Sequence, residues 1–239
     1  MLRVATWNIE LGMDLGRVIA GVGSLPHLDL AAFQELSIHQ GIPDARAIAE
    51  RLGPDYRCAQ FTAQLLAGSP QANGLVWDAR VIGVDDVQAI PLPAPAGRLM
   101  RLQGSHRNAL MAEARLGDLA LRVYAIHLDV LGVAHKHAQL RHVLADAASR
   151  PVVDLVLIAG DLNTYGVAGR PRWFKLRRLA RDAGFEELTT GIGWTHRALG
   201  VRQKLDAIFA APTGIRHRAW RELLPGSDHL PVLAELEVE

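Results

Sequence analysis

Hydrophobic and polar positions alternate along the chain in a way that predicts strands and amphipathic helices in turn. Residues 2–9 show the two-residue period of a half-buried strand, with Asn8 close to its end. Helices are predicted to follow Asp14 and to begin at residues 43–44, and another is predicted over residues 138–147. Further apolar runs of strand length cover residues 28–35, 121–128, 152–159, 204–209 and 231–236.

The middle of the chain has a different pattern, which predicts consecutive strands without helices between them. These strands are expected over residues 74–77, 81–90, 109–116 and 119–126, and Gly117-Asp118 suits a tight hairpin turn between the last two. Helices on both sides of a run of hairpins favour an α/β (α+β) architecture of two facing mixed β-sheets with helices outside.

Length and composition predict one domain over residues 1–239. Hydrophobic residues make up 49% of the chain and charged residues 21%, so there is enough apolar side-chain volume for a large core. The single cysteine, Cys58, excludes an internal disulfide and favours a reducing compartment. The chain begins with a strand pattern rather than a charged leader, and no apolar run approaches ~20 residues. We therefore expect a cytoplasmic protein.

Polar side chains follow the ends of several predicted strands. Gly160-Asp161-Leu162-Asn163 comes after the apolar run 152–159, and Gly226-Ser227-Asp228-His229-Leu230-Pro231 comes just before the run 231–236. Carboxylate and carboxamide oxygens are suitable ligands for a divalent cation, and an imidazole beside them can transfer a proton. This combination suits the hydrolysis of a phosphate ester.

Further residues of this kind occur in a fixed order, at or near the ends of apolar runs: Asn8, Glu35, His127 and Asp206. With the two motifs above, this order resembles the endonuclease/exonuclease/phosphatase superfamily, whose members include pancreatic deoxyribonuclease. The resemblance extends over residues 2–238. It implies a four-layer α/β sandwich and a phosphoesterase that depends on Mg²⁺, with Mn²⁺ as an alternative.

The resemblance also implies roles for individual residues. Glu35 is expected to be the principal metal ligand, with Asp228 as a second carboxylate and Asn8 as a carboxamide that helps to hold the metal. His229 is expected to pair with Asp206, which would fix its tautomer. The remaining expectations are a phosphate contact for His127, a water-orienting or basic role for Asp161, a phosphate hydrogen bond for Asn163 and a phosphate-binding role for Arg107. The sequence leaves open whether a carboxylate or an imidazole is the general base.

The segment from Arg170 to Arg221 is strongly basic, although the whole chain has a net charge of only +1. It contains twelve lysines and arginines against four acids, together with Trp173, Trp194 and Trp220. Two interpretations stay open. The segment could contact a polyanion such as DNA or RNA, or residues 172–181 could form a solvated helix that turns Leu176, Leu179 and Ala183 inward.

Other clusters are interpreted as structural. His135, His137 and His142 lack the i, i+4 spacing that a helical zinc site would need, so we expect surface positions for them. Cys58 has no activating neighbour in sequence and is expected to be packed.

The function predicted from the sequence is therefore metal-assisted hydrolysis of a phosphodiester, with nucleic acid or a related compound as substrate. The alternatives are a phosphomonoesterase, an enzyme acting on a phospholipid or small-molecule diester, and a catalytically silent binding domain that keeps the fold. No protein partner and no transmembrane segment are predicted.

Overall fold

Two six-stranded mixed β-sheets face each other in the computed structural model, which describes residues 1–66, 68–94, 106–130, 132–165 and 169–238. The strands are β1 (Leu2–Asn8), β2 (Leu30–Leu36), β3 (Ile38–His39), β4 (Ile42–Pro43), β5 (Tyr56–Leu66), β6 (Ser69–Asp78), β7 (Gly83–Pro91), β8 (Asn108–Leu116), β9 (Leu119–His127), β10 (Leu155–Asp161), β11 (Glu186–Glu187), β12 (His196–Ala198), β13 (Val201–Gln203), β14 (Asp206–Ala211), β15 (His217–Arg221) and β16 (Val232–Leu236). The α-helices of these described ranges are α1 (Leu15–Val22), α2 (Asp44–Leu52), α3 (Val133–Ser149) and α4 (Gly169–Asp182).

The two sheets have matching topologies. The first has the strand order β15-β16-β1-β2-β6-β5, and the second has the order β11-β14-β10-β9-β8-β7. In each sheet the central pair is parallel, β1 with β2 and β9 with β10, and the other pairings are antiparallel. Because parallel strands end at the same edge of a sheet, each central pair presents its terminal residues together.

Apolar side chains form three layers around and between the sheets. Val4, Leu75 and Val123 lie in the layer between the sheets. On the outer faces, one layer includes residues of α1 and α2, and another includes residues of α3 and α4. Full burial of one such side chain contributes about 1.5–3 kcal/mol, so these layers fix how the strand ends meet. The predicted sandwich of two mixed sheets with helices outside is confirmed.

Some boundaries differ from the sequence-based expectation. The strand expected over residues 152–159 covers Leu155–Asp161, and Val152 is 99% exposed. Asp154 accounts for the shift, because its carboxylate accepts a hydrogen bond from Ala120 N at 2.8 Å just before pairing begins. The sequence pattern missed β5 and β15. Both are edge strands with partly exposed faces, which weakens the alternation that marks a half-buried strand.

Helix α4 agrees only in part with its predicted inward face. Leu176 is buried and Leu179 is partly buried, but Ala183 is exposed and Ala180 is buried in its place. The reason is that the helix ends at Asp182, so Ala183 already belongs to the following turn. Among the described helices, none combines the length and apolar character needed to cross a membrane.

Candidate active site

The polar residues predicted from the sequence meet where the central strand pairs of the two sheets end. Asn8 ends β1, and Asp161 ends β10 directly beside His127 of β9 and Asp206 of β14. A hydrogen bond from Asn8 Nδ2 to Asp161 Oδ2, at 3.1 Å, joins the two sheets. The site is therefore built on strand termini rather than on mobile loops.

Close strand packing beneath the site depends on Gly160. Its φ of 153° lies outside the range that residues with a side chain usually adopt, and a Cβ at this position would lie 1.9 Å from Ile126 O. Only glycine lets β10 approach β9 closely enough here. The neighbouring Asp161 and His127 are thereby brought side by side.

Two hydrogen bonds hold the C-terminal motif against β1, and a third lies within the motif. Trp7 Nε1 donates to His229 O at 3.0 Å, Ser227 Oγ donates to Asn8 O at 2.8 Å, and His229 N donates to Ser227 Oγ at 3.0 Å. These bonds fix the backbone of the motif, so the His229 ring enters the site from a defined direction.

His229 lies between two buried carboxylates. Its Nδ1 is 2.9 Å from Asp206 Oδ2, and its Nε2 is 3.8 Å from Asp161 Oδ2. Burial lowers the pKa of His229, but the negative charges of Asp206 and Asp161 outweigh it and raise that pKa to about 10. His229 is therefore an imidazolium at neutral pH and can donate from both ring nitrogens.

His127 has the opposite protonation state. Burial, followed by the positive charges of Arg107 and His229, lowers its pKa well below the usual value, so the ring is neutral. Arg107 Nη1 lies 2.8 Å from His127 Nδ1, and a guanidinium can only donate. Nδ1 must then accept, which places the ring proton on Nε2. That nitrogen faces Glu35 Oε1 and Asp161 Oδ2, each at 3.6 Å.

Arg107 is buried behind His127. Besides its contact with His127 Nδ1, its Nη1 donates to Gln71 Oε1 at 2.9 Å. This arrangement favours a role in orienting His127. Direct phosphate binding by Arg107, as proposed from the sequence, stays a prediction.

Asp161 is the central acceptor of the site. Its Oδ1 accepts from Asn163 N at 2.7 Å, and Asn163 in turn donates its side-chain amide to Leu128 O at 2.7 Å. Burial is the largest cause that raises the pKa of Asp161, to about 7, and the charge of Asp206 adds to it against the opposing charge of His229. A carboxylate with a pKa near neutrality is suited to general-base catalysis.

Glu35 and Asp228 form a more open, acidic side of the site. Their side chains are 21% and 33% exposed, and Glu35 has a φ of 54°, a left-handed conformation that costs energy in a residue with a side chain. Glu10, with a φ of 52°, accepts from Asp228 N at 3.2 Å. Its pKa is raised by burial and then by the charges of Asp228 and Glu35, which shows that the three carboxylates lie near one another.

Glu35, Asp228 and Glu10 offer carboxylate oxygens, the ligand type that a hard divalent cation takes, and the side chains of Glu35 and Asp228 are partly exposed. Asn8 orients these groups: its Nδ2 is 3.3 Å from Glu35 Oε1, and its Oδ1 accepts from Glu10 N at 3.0 Å. In the described residues, two groups have possible ligand atoms within 4.8 Å of one another: Asp161, Asp206 and His229, and His196, Asp228 and His229.

Comparison with known proteins identifies the fold. No protein-family model matches the chain, and no curated protein matches it either. Solved structures match it along almost its whole length. The endonuclease/exonuclease/phosphatase from Beutenbergia cavernae has a TM-score of 0.76 at 22% identity, over 99% of this chain and 71% of that chain.

Two further structures have slightly lower TM-scores with this chain. D. rerio TDP2 humanized by 14 mutations has a TM-score of 0.72 at 18% identity, over 99% of each chain. ANGEL2, described as a 2′,3′-cyclic phosphatase, has a TM-score of 0.72 at 15% identity, over 98% of this chain and 94% of that chain. The chain has the endonuclease/exonuclease/phosphatase fold.

Within this endonuclease/exonuclease/phosphatase fold, the sequence pattern missed Glu10 and His196, which both contact Asp228. His196 is 3% exposed, its Nε2 is 3.1 Å from Asp228 Oδ2, and its ring packs against His229 at a centroid distance of 4.6 Å. Tyr165 packs edge-on against the His196 ring at a centroid distance of 5.0 Å. Because β12 has only three residues, no periodic signal marked His196, and its contact with Asp228 forms only through tertiary structure.

The histidines interpreted as structural lie outside the site. His135 is not a surface residue as expected: its side chain is 9% exposed and lies 3.3 Å from Asp129 Oδ2. The two groups of metal-ligand type in the described residues include none of His135, His137 and His142. Cys58 is partly buried, and burial raises the pKa of its thiol, which agrees with a packed cysteine of low reactivity.

Proposed function

We propose that the chain is a divalent-metal-dependent phosphoesterase that hydrolyses phosphodiester bonds, with nucleic acid or a related compound as substrate. The observation that carries the proposal is the convergence of three different groups at one point. The neutral donor His127 Nε2 and the cationic donor His229 Nε2 lie 3.6 and 3.8 Å from the acceptor Asp161 Oδ2. Hydrolysis of a phosphate diester requires donors for the phosphate oxygens and an acceptor for the proton of water.

In this proposal Asp161 accepts the proton as the water oxygen forms its bond to phosphorus. The bond from phosphorus to the leaving oxygen breaks, the leaving oxygen keeps the bonding electrons and takes a proton from solvent, and His229 donates a hydrogen bond to an oxygen of the reacting phosphate. His127 donates from Nε2 to a second phosphate oxygen without adding charge. The pKa of about 10 argues against His229 as the base, because an imidazolium has no free lone pair.

The metal would be held by Glu35 and Asp228, and Glu10, which accepts from Asp228 N, is a further candidate ligand. When bound, Mg²⁺ or Mn²⁺ would neutralise charge on the non-bridging oxygens and polarise the phosphate. His196 would keep Asp228 in its rotamer through the hydrogen bond from Nε2. Asn8 would keep Glu35 and Asp161 at their spacing across the two sheets.

A phosphate substrate of another kind is the second candidate. The similarity in fold to ANGEL2, a 2′,3′-cyclic phosphatase, gives a specific reason to test small phosphate esters. A phosphomonoesterase and a silent binding domain would each give a different result in the same assay.

The test is a turnover panel of the full chain with Mg²⁺ or Mn²⁺. The substrates are plasmid DNA, a single-stranded oligonucleotide, an aryl phosphodiester, an aryl phosphomonoester and a 2′,3′-cyclic nucleotide. We expect turnover of the diesters, and loss of that turnover in Asp161→Asn. Glu50→Gln is the matched control, because Glu50 is an exposed residue of α2 that pairs with Arg46 away from the site.

Exclusive turnover of the monoester would replace the diesterase proposal with a phosphomonoesterase. Absence of turnover on every substrate, with metal present and the protein folded, would support the silent binding domain.

A further inference from the structure

A short β-hairpin extends from the edge of the sheets where the site lies, and its residues beyond His196 have no role in the mechanism above. It consists of β12 and β13, joined by Leu199-Gly200. Its first residue, His196, contacts Asp228, and the chain re-enters the site at Asp206 just after its last residue, Gln203. Leu199 is three positions after His196 in extended chain, so the tip lies about 10 Å from the base of the hairpin.

The tip carries a residue that folding alone does not explain. Leu199 and Gly200 both have positive φ, 47° and 81°, which is the backbone of a two-residue turn that favours Asn-Gly or Asp-Gly. Leucine is poorly suited to this conformation. Its side chain is also fully exposed, and that of Val201 is 55% exposed. An apolar side chain in a strained and exposed position points to a contact with another molecule.

The strands of the hairpin carry a second unfavourable feature. Arg197 and Arg202 are directly opposite each other in the antiparallel register, and like charges so placed repel. No acidic residue occurs between Trp194 and Lys204 to offset them. Arg202 packs over the Trp194 ring at 4.8 Å, and Arg221 covers the same ring at 4.6 Å. Arg197 has no ion pair or side-chain hydrogen bond with any residue that the structure describes.

Several other cations of the basic segment form ion pairs or hydrogen bonds within the protein, which distinguishes them from Arg197. Arg177 and Lys204 pair with Glu187, Arg178 and Arg181 with Asp182, and Arg216 with Glu237, while Arg221 donates to two backbone carbonyls. The sequence could not separate these groups. Of the described cations of the segment, Arg197 and Arg202 are the two that lie on the hairpin that begins beside the site.

We propose that the hairpin 196–203 binds a nucleic-acid strand on one side of the scissile phosphate. Arg197 and Arg202 neutralise flanking phosphates, and Leu199 packs against the bases. This inference rests on the proposed phosphodiesterase function and names its substrate class. With a rise of about 3.4 Å per nucleotide along a strand, the tip reaches roughly three nucleotides from the reacting group. Apolar wedges of this size are used by other proteins to contact base steps.

A lipid surface suits the hairpin less well. The tip offers only Leu199 and Val201 as exposed apolar side chains, whereas stable membrane anchoring needs a larger apolar area or two signals. Two arginines on one face of a narrow hairpin match a row of phosphates more closely. Vesicle binding is therefore included as an outcome that would count against the proposal.

The test measures binding of a fluorescent 12-nucleotide single strand to the full chain by anisotropy, with Ca²⁺ in place of the catalytic metal. The variants are Arg197→Gln combined with Arg202→Gln, and Leu199→Asn. Arg216→Gln is the matched control, since Arg216 is an exposed arginine of the same segment that pairs with Glu237. Turnover of the oligonucleotide and of a small aryl diester is measured in parallel.

We expect the double arginine variant to bind at least about tenfold more weakly and to lower the salt slope by roughly 1.4, since each phosphate contact on a single strand contributes about 0.7. Its kcat/KM should fall at least about tenfold more on the oligonucleotide than on the aryl diester. Leu199→Asn should weaken binding about fivefold while its Tm stays equal to or above that of the parent, because Asn suits the turn better. A purely structural role for Leu199 could not give that combination.

Two results would overturn the inference. One is a double arginine variant whose affinity for the oligonucleotide and salt slope equal those of the parent. The other is binding of the parent to phosphatidylserine vesicles that is lost in Leu199→Asn while oligonucleotide binding is kept. If the parent binds the oligonucleotide through the hairpin but hydrolyses no ester, the proposed function fails and the binding surface stands.

Discussion

Replacing Asp206 with Asn removes one negative charge from a pair of fully buried residues and keeps the shape of the side chain. Asp206 is the largest of the causes that raise the pKa of His229 to about 10 against the effect of burial. Without that charge, burial dominates and the pKa of His229 should fall below neutrality. A fall of about three units corresponds to roughly 4 kcal/mol, because one unit is about 1.4 kcal/mol.

The catalytic consequence follows from the same free energy. At pH 7.5 the imidazole of the variant would be neutral, so the proposed cationic donor would be lost. If the phosphate transition state depends on that charge, turnover of the diester should fall by about 10³-fold. The His229→Ala variant should lose a similar amount. The double variant should be little slower than either single variant, because the two residues act as a unit.

The assay combines NMR titration of the histidine ring nitrogens in the metal-free protein with kinetics of the three variants. The folded-state pKa of His229 is above its unfolded value, so this charge stabilises the fold fully below pH ~6.5 and its contribution is lost as the pH rises through about 10. The stability difference between the parent and Asp206→Asn should shrink over the same range. Additive losses of activity in the double variant, or an unchanged His229 titration in Asp206→Asn, would refute the reasoning.

Three further predictions test other parts of the site. Glu35→Gln should lose at least ~100-fold of the diesterase activity and weaken Mn²⁺ binding measured by calorimetry, and excess chelator should abolish activity in the parent; full turnover in chelator would exclude the metal. Arg107→Gln should raise the pKa of His127, measured by NMR, because a positive charge 2.8 Å from Nδ1 is removed; an unchanged pKa would show that burial alone sets it. Gly160→Ala should lower the free energy of unfolding by at least ~2 kcal/mol in urea, because its Cβ would clash with Ile126 O, whereas Gly83→Ala meets no atom within 4 Å and should have little effect.

The sequence alone was sufficient for the architecture and for the order of the polar residues. Strand periodicity located β1, β2, β9 and β16 closely, because each has at least one face in an apolar layer. Edge strand β5 was missed since its exposed positions follow no simple alternation. The polar groups at strand ends were visible because they interrupt apolar runs, whereas the two parallel central pairs that bring them together were seen only in the structure.

Only the tertiary structure decided the protonation states and the partners. Neutral His127 and cationic His229 are both buried histidines, and they differ because Nδ1 of His127 contacts Arg107 while Nδ1 of His229 contacts Asp206. The contact between His196 and Asp228 joins residues 32 positions apart in the chain. Hydrophobic periodicity reports which face of an element is buried, but pKa values depend on charges a few ångströms away, and folding brings those charges together from distant parts of the chain.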